Sequence, residues 1–261
     1  MSMQFYKFQA NGNDFILVDG RKRPFSAGRG EIARFCNRHF GIGADGFMLL
    51  KSSDAYDFDM LYFNSDGKPA AMCGNGGRSI AALAYMKGVA GKEMRFSSAD
   101  GVHEANIENE IIGKRIFDVS LKMQDVHEVK MFADGWFLNT GVPHFVKFVS
   151  RVEEVDVPRL GREIRKDKRF APDGTNVNFV GMEAERLFVR TYERGVEDET
   201  LSCGTGVTAS ALTAFFKTGK QVPNIHTRGG DFRVSFRKTA DGFEDIWLRG
   251  PAERVFDGEL P

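Results

Sequence analysis

A shift of 130 residues lays Cys203-Gly204-Thr205-Gly206 on Cys73-Gly74-Asn75-Gly76 without a gap. The same shift brings Ala211 onto Ala81, Ala214 onto Ala84, Phe215 onto Tyr85 and Lys217 onto Lys87. Further along it sets Gly230-Asp231 over Asp100-Gly101, each between two strand-like runs. Upstream, Phe63-Asn64 and Tyr192-Glu193 end the strand-like runs before the two glycine clusters, nine and ten residues ahead of the cysteines. One supersecondary unit is used twice, so the chain must fold into two bodies of like topology. A pseudo-twofold relation between such bodies would bring both Cys-Gly-x-Gly segments to a shared cleft.

The local patterns fit that plan. Phe15–Asp19, Phe58–Asn64, Val119–Met123, Asn176–Gly181 and Leu187–Thr191 are short, rich in strand formers and bounded by turn residues, and read as strands. Cys73–Lys87 and Cys203–Lys217 read as buried helices, each opened by its glycine cluster. The polar run Glu108–Lys114 is the expected domain boundary. With 261 residues, the chain is long enough for one large or two modest domains without a metal or disulfide staple. Thirty-six basic residues balance thirty-six acidic ones, which argues against an electrostatic nucleic-acid binder. No apolar stretch approaches the ~20 residues of a membrane span, and Met1–Phe8 lacks the apolar core of a signal peptide. Three cysteines are too few for a secreted disulfide framework, and a cytoplasmic location with reduced thiols is expected.

A cysteine in the first turn of a helix feels the positive end of the macrodipole and several unpaired N–H groups, both of which favour thiolate. The glycines after it leave those N–H groups open to an anion such as a carboxylate. Each copy therefore offers a base beside an oxyanion cradle. Two copies facing one molecule offer a base on either face, which is what inverting a stereocentre next to a carboxylate requires. A single such cysteine is more simply a small buried hydrophobe, but packing does not explain two in matching positions. Zinc needs three or four ligands at short spacings, whereas the five histidines are scattered and no Cys-x-x-Cys exists. Cys36, in the amphipathic stretch Glu31–His39, has no repeat partner and reads as structural.

At these residues the sequence resembles the diaminopimelate epimerases, cofactor-independent enzymes that interconvert LL- and meso-diaminopimelate. The matching blocks are Gly12-Asn13-Asp14-Phe15, Gly41-Ile42-Gly43-Ala44-Asp45-Gly46, Phe63-Asn64-Ser65-Asp66-Gly67 and Met72-Cys73-Gly74-Asn75-Gly76. They continue with Asn176-Val177 before Phe179, Tyr192-Glu193-Arg194-Gly195, Cys203-Gly204-Thr205-Gly206 and Gly250-Pro251-Ala252. The resemblance implies an α+β fold of two pseudo-symmetric lobes, each a mostly antiparallel sheet wrapped around a central helix. The first lobe is placed at residues 1–114 with Cys73, joined by a C-terminal strand at 252–261, and the second at 115–251 with Cys203. It implies that Cys73 and Cys203 are the acid/base pair, and that Gly74-Asn75 and Gly204-Thr205 cradle the reacting carboxylate. Asn13, Asn64, Asn176, Glu193 and Arg194 match substrate-contacting positions. Arg194 can fork onto a distal carboxylate, while Glu193 and the asparagines can accept from a distal ammonium. Asn64 would otherwise serve a turn, and Arg194 an ion pair with Glu193. No cofactor and no metal are implied; the implied partners are a small amino-acid substrate and a second copy in a homodimer, with no nucleic acid and no membrane. The implied setting is lysine and cell-wall precursor biosynthesis.

Three departures bear on recognition. Gln9-Ala10 replaces the family's usual His-Gly, and Gly141-Val142-Pro143-His144 replaces Gly-Asn-Pro-His, so that Thr140 or backbone would have to take over the lost asparagine's contact. Gly46 stands where some members carry glutamine. The rival readings are a proline or hydroxyproline racemase of the same superfamily, in which Cys-Gly-His-Gly is usual at the first site, and a non-catalytic scaffold or thiol sensor. Asn75 and Glu193-Arg194 speak against the racemase, and two intact copies speak against the scaffold.

Overall fold

A computed structural model describes residues 3–21, 25–111, 113, 115–183 and 185–260. The chain divides into two units, Met1–Leu121 with Gly250–Pro261, and Lys122–Arg249.

In the first unit the strands are β1 (Met3–Ala10), β2 (Asn13–Asp19), β3 (Gly46–Lys51), β4 (Phe58–Asn64), β5 (Glu93–Ser98), β6 (Gly101–Ile111) and β7 (Ile116–Lys122). Neighbours pair in that order, β7 pairs with the second half of β16 (Gly242–Leu260), and β16 pairs back onto β1, closing a ring. Two pairs are parallel, β2 with β3 and β4 with β5. Each such pair needs a crossover: α1 (Arg29–Cys36) supplies the first and α2 (Gly74–Met86) the second.

The second unit repeats the order. Its strands are β8 (Val129–Phe132), β9 (Gly135–Asn139), β10 (Pro143–Phe148), β11 (Asn176–Glu183), β12 (Arg186–Glu193), β13 (Asp198–Thr200), β14 (Asn224–Thr227), β15 (Gly230–Thr239) and the first half of β16. Here β10 and β11 are parallel across α3 (Val157–Arg165), and β12 and β14 are parallel across α4 (Gly204–Thr218). A single bridge from Val126 to Phe243 of β16 stands where the first unit has its β1–β16 ladder.

The helices opened by the glycine clusters are buried almost all round. Ile80 to Ala84 of α2 and Val207 to Ala214 of α4 are inaccessible to solvent. A helix surrounded by sheet must be small-sided and have no polar face, which is why alanine, glycine, serine and threonine dominate both. The buried hydroxyls are satisfied on the preceding turn: Ser79 donates to Asn75, Thr208 to Gly204, Ser210 to Gly206 and Thr213 to Ala209 carbonyls, at 2.7–3.0 Å. The chain leaves α4 at Gly219, whose φ of 70° provides a left-handed stop.

Two placements differ from the sequence reading. Glu108–Ile111 are the last residues of β6, paired with β7, and no boundary falls there; Ile112 and Lys114 lie outside the described residues. The run is polar because this end of β6 faces solvent, and exposure of a strand gives the same composition as a linker. For the same reason β7, assigned to the second lobe from sequence, belongs to the first unit, where it pairs with β6 and with β16. Among the described residues no helix is long and apolar enough to cross a membrane.

Close packing of helix on sheet generates a contrast between two glycines. A Cβ on Gly161 of α3 would lie 2.4 Å from Tyr192 Cβ and 2.6 Å from its Cγ, the immovable root of a buried side chain. Helix propensity would favour alanine by about 1 kcal/mol, yet overpacking costs about 1–3 kcal/mol. Gly161→Ala is expected to lower the urea midpoint. Gly30→Ala in α1, with nothing within 4 Å of its Cβ, is expected to raise it.

Candidate functional site

Cys73 is the N-cap residue of α2, with extended backbone at φ −101° and ψ 149°, and its Sγ accepts the Gly76 N–H at 3.2 Å. The next residue's carbonyl, that of Gly74, accepts from Nη1 of the fully buried Arg78 at 3.3 Å. Burial pulls the Arg78 guanidinium down to about 10, against the attraction of the Cys73 thiolate and the Asp118 carboxylate, so it stays charged near neutrality. A Cβ at Gly76 would lie 2.5 Å from Met48 Cε and 3.2 Å from Cys73 Sγ, so glycine keeps this space open beside the sulfur.

The other first-unit residues singled out from sequence gather along β2, β4 and α2. Asn13 begins β2, and its Oδ1 is buried without a hydrogen-bond partner. Such an orphaned acceptor is costly and marks a place where a donor is expected to dock. Asn64 ends β4, where its backbone accepts from Gly67 and donates to Lys68, so the turn is made by main chain and the exposed side chain is not spent on it. Asn75 is buried, and its Oδ1 accepts from Arg78 Nη2 at 2.9 Å.

Two of the departures find their reason here. The Gln9 amide accepts the Gly12 N–H at 3.1 Å and donates to Glu253 at 2.8 Å, pinning the β1–β2 turn that leads into Asn13. Gly46 leaves room for Tyr62, whose ring would lie 2.5 Å from any Cβ, so no glutamine fits beside it. A cluster not anticipated from sequence holds the neighbouring loops: Arg38 bridges Asp14 (2.6 Å) and Asp45 (2.7 Å), and Lys7 lies 2.6 Å from Asp14. Burial works against the Asp14 charge, but these cations prevail and hold it down at about 2. Cys36 is buried, and burial pushes its thiol up to about 11, consistent with a packing role.

In the second unit Cys203 is the N-cap residue of α4, and its Sγ lies 3.4 Å from Thr205 Oγ1. Behind that hydroxyl runs a polar chain in which every direction is fixed. Asn178 Nδ2 donates to the Phe145 carbonyl at 3.2 Å, which can only accept, so its Oδ1 takes the Thr191 hydroxyl at 2.9 Å. The same Nδ2 faces His144 Nδ1 at 3.0 Å, which must therefore be the bare nitrogen. His144 Nε2 then carries the proton and donates to Thr205 Oγ1 at 2.9 Å, so that the Thr205 hydroxyl can both accept from the ring and donate to the Cys203 sulfur. Burial, aided by the Arg194 charge, pushes His144 down to about 3, so the ring is neutral at any working pH. Gly206 is needed for this approach, since a Cβ there would meet Asn178 Oδ1 at 2.3 Å.

The remaining residues lie on β11 and at the end of β12. Asn176 accepts the Arg194 N–H at 2.7 Å and donates to the Pro143 carbonyl at 3.2 Å, so its amide sets the backbone of two loops. Glu193 ends β12 half-buried. Among the described residues Arg194 makes no ion pair; its guanidinium meets only the Asp173 carbonyl, at 3.5 Å. Thr140 is buried and donates to the Thr205 carbonyl at 2.9 Å, which ties the Val142 loop to the start of α4. Sequence reasoning did not assign Arg78, Asn11, Asn178 or the relay through His144. The available signal was a lone charge in an apolar helix, and the alternation of Asn176 and Asn178 along one strand. Among the described residues no three His, Cys, Asp or Glu side chains group to hold a metal ion.

His144 makes acid stability testable. Its folded value of about 3 lies below the unfolded one of about 6.5. Below pH ~6.5 the unfolded chain binds a proton that the folded chain refuses, so stability is full above that pH and is lost as pH falls toward 3. His144→Gln is expected to lose less of its urea midpoint between pH ~7 and ~4.5 than the parent does; equal losses would show that His144 does not titrate this way.

A family model described as diaminopimelate epimerase matches residues 5–118 and 136–255. A diaminopimelate epimerase from Flavobacterium psychrophilum is 45% identical over 261 residues, covering 98% of this chain and 99% of the relative. Among solved structures, a PhzF-family phenazine biosynthesis protein from Bacillus anthracis superposes with a TM-score of 0.75 at 14% identity, covering 100% of this chain and 99% of that one. A probable proline racemase from Agrobacterium radiobacter gives 0.69 at 15% identity, covering 99% and 93%. At those identities the structural matches show the fold alone. The identity to the Flavobacterium protein runs the length of both chains, and with the family match on either side of both cysteines it shows that the chain belongs to the diaminopimelate epimerase family.

Proposed function

We propose that this protein interconverts LL- and meso-diaminopimelate with two cysteines, one removing the α-proton and the other delivering a proton to the opposite face, without a cofactor, as a step toward lysine and cell-wall precursors. The observation that carries the reading is the duplicated setting of Cys73 and Cys203. Each is the N-cap of a buried helix, with a hydrogen-bond donor at its sulfur.

One cysteine acts as thiolate and takes the α-proton, becoming a thiol. The electron pair left on carbon spreads into the carboxylate as an enediolate, and the other cysteine, a thiol, donates its proton to the opposite face and becomes the thiolate. The reverse reaction exchanges the two roles. First-turn N–H groups of α2 and α4 are suited to hold the growing oxyanion charge. A thiolate at Cys203 would be favoured by the Thr205 hydroxyl, which can donate to the sulfur while it accepts from His144. Arg194, with no carboxylate partner of its own among the described residues, suits the distal carboxylate, and Asn13 Oδ1 suits an ammonium.

Proton NMR of the reduced protein in D2O with LL-diaminopimelate, and with proline in parallel, tests the reading. Expected is α-deuteration with meso product from diaminopimelate alone. Cys73→Ser and Cys203→Ser should each lower kcat by about 10²–10⁴-fold, the usual contribution of a general acid or base. Exchange on proline instead would keep the two-thiol chemistry and overturn the substrate. No exchange on either would favour a scaffold.

The donor relay gives a second expectation. Thr205→Val removes the hydroxyl at the Cys203 sulfur and strands the His144 N–H. It should lower kcat by about 10- to 100-fold, in line with the worth of one hydrogen bond to a charged group, and move the acidic limb of the rate profile upward. Thr205→Ser should restore both. Parental behaviour of the valine variant would remove the hydroxyl from the mechanism.

A further inference from the structure

Arg78 heads the fully buried side chains of the molecule, yet nothing in the proton transfer uses it. A charge sequestered in a helix core is costly unless its donors are spent. Three of its five N–H groups are directed at named acceptors: Nη1 to the Gly74 carbonyl at 3.3 Å, and Nη2 to Oδ1 of Asn11 at 2.8 Å and of Asn75 at 2.9 Å. Because a guanidinium only donates, both amides must turn their oxygens toward it, and both Nδ2 groups face the other way. Asn75 sits in the first turn of α2 beside Gly74. Asn11 sits in the β1–β2 turn at a left-handed φ of 51°, two residues before Asn13. One buried guanidinium thus ties two separate stretches of the candidate site. Helix packing alone does not call for it. At the matching position of α4 stands Thr208, whose hydroxyl merely back-bonds to Gly204.

We propose that Arg78 is a positioning residue: it fixes the Asn75 carboxamide with Nδ2 presented to the substrate carboxylate, docks the Asn11–Asn13 turn on the start of α2, and lends its charge to the Cys73 thiolate. The substrate part rests on the epimerase reading; the thiolate part does not.

The test uses Arg78→Gln and Arg78→Lys in the full chain, with kcat and KM measured for diaminopimelate in both directions. The pH dependence of Cys73 alkylation by iodoacetamide is followed in parallel on the Cys73 peptide by mass spectrometry. Arg78→Gln should raise KM about tenfold or more, the worth of a lost charged hydrogen bond, and shift the alkylation midpoint up by about one pH unit, as loss of a nearby opposite charge does. Arg78→Lys should bring the midpoint back while KM stays high, since an ammonium keeps the charge but not the two-amide bridge. A parental KM and midpoint in Arg78→Gln would overturn the proposal. So would equal losses in both variants that track the folded fraction by circular dichroism. Should Arg78→Gln fail to fold, Asn11→Gly removes one tied amide while keeping the left-handed backbone and the charge. It should raise KM and leave the midpoint unmoved, and a parental KM would again overturn the proposal. If the parent itself turns over no diaminopimelate, the substrate reading falls, and the midpoints of Arg78→Gln and Arg78→Lys still decide the charge effect.

Discussion

A helix that begins inside a protein leaves its first-turn N–H groups without intrahelical partners, and burial denies them water. Both α2 and α4 face this constraint, because their flanks are covered and their sides are reduced to small residues. A cysteine at the N-cap answers it in part. In the first unit the sulfur takes the Gly76 N–H. The opening glycines leave first-turn N–H groups sterically accessible, and at Gly76 and Gly206 a side chain would collide with Met48 or Asn178. In general, the condition that opens a helix start to an anion is the same one that favours a thiolate at its N-cap.

The two copies meet that condition with different second partners. Behind Cys73 stands a full positive charge, held by two asparagines and a carbonyl. Behind Cys203 stands a neutral relay, in which Asn178 dictates the tautomer of His144 and His144 donates to the Thr205 hydroxyl beside the sulfur. The two helix starts thus keep like backbones, both placing cysteine at an extended N-cap, while one support is charged and the other neutral.

The departures from the usual family pattern are absorbed locally. Gln9 anchors the β1–β2 turn by a bond to Gly12 and another to Glu253. Tyr62 fills the space opposite Gly46. Thr140 ties the loop bearing Val142 to Thr205, so this threonine acts on the scaffold of α4. Asn176, matched from sequence to substrate contact, spends bonds on the backbone of Arg194 and Pro143, and so orients the loops that carry other candidate groups.

The sequence by itself determined the duplication, the two helix starts and the cysteines that cap them, because these depend on local patterns: glycine clusters, small-residue runs and a fixed 130-residue shift. Its strand assignments at β2, β4, β11 and β12 fall within a few residues of the structure, since those runs are apolar and sharply bounded. The strand-like runs on either side of Asp100-Gly101 and Gly230-Asp231 are β5 with β6 and β14 with β15, but the polar outer end of β6 was not legible as strand, because it is exposed. Only the tertiary structure decided that β7 belongs with the first unit, that β16 runs through both units, and that Arg78, Asn178 and His144 stand behind the two sulfurs. Those facts rest on hydrogen bonds between residues tens to hundreds of positions apart, and a direction of donation is settled only when the last acceptor in the chain, here the Phe145 carbonyl, is in place.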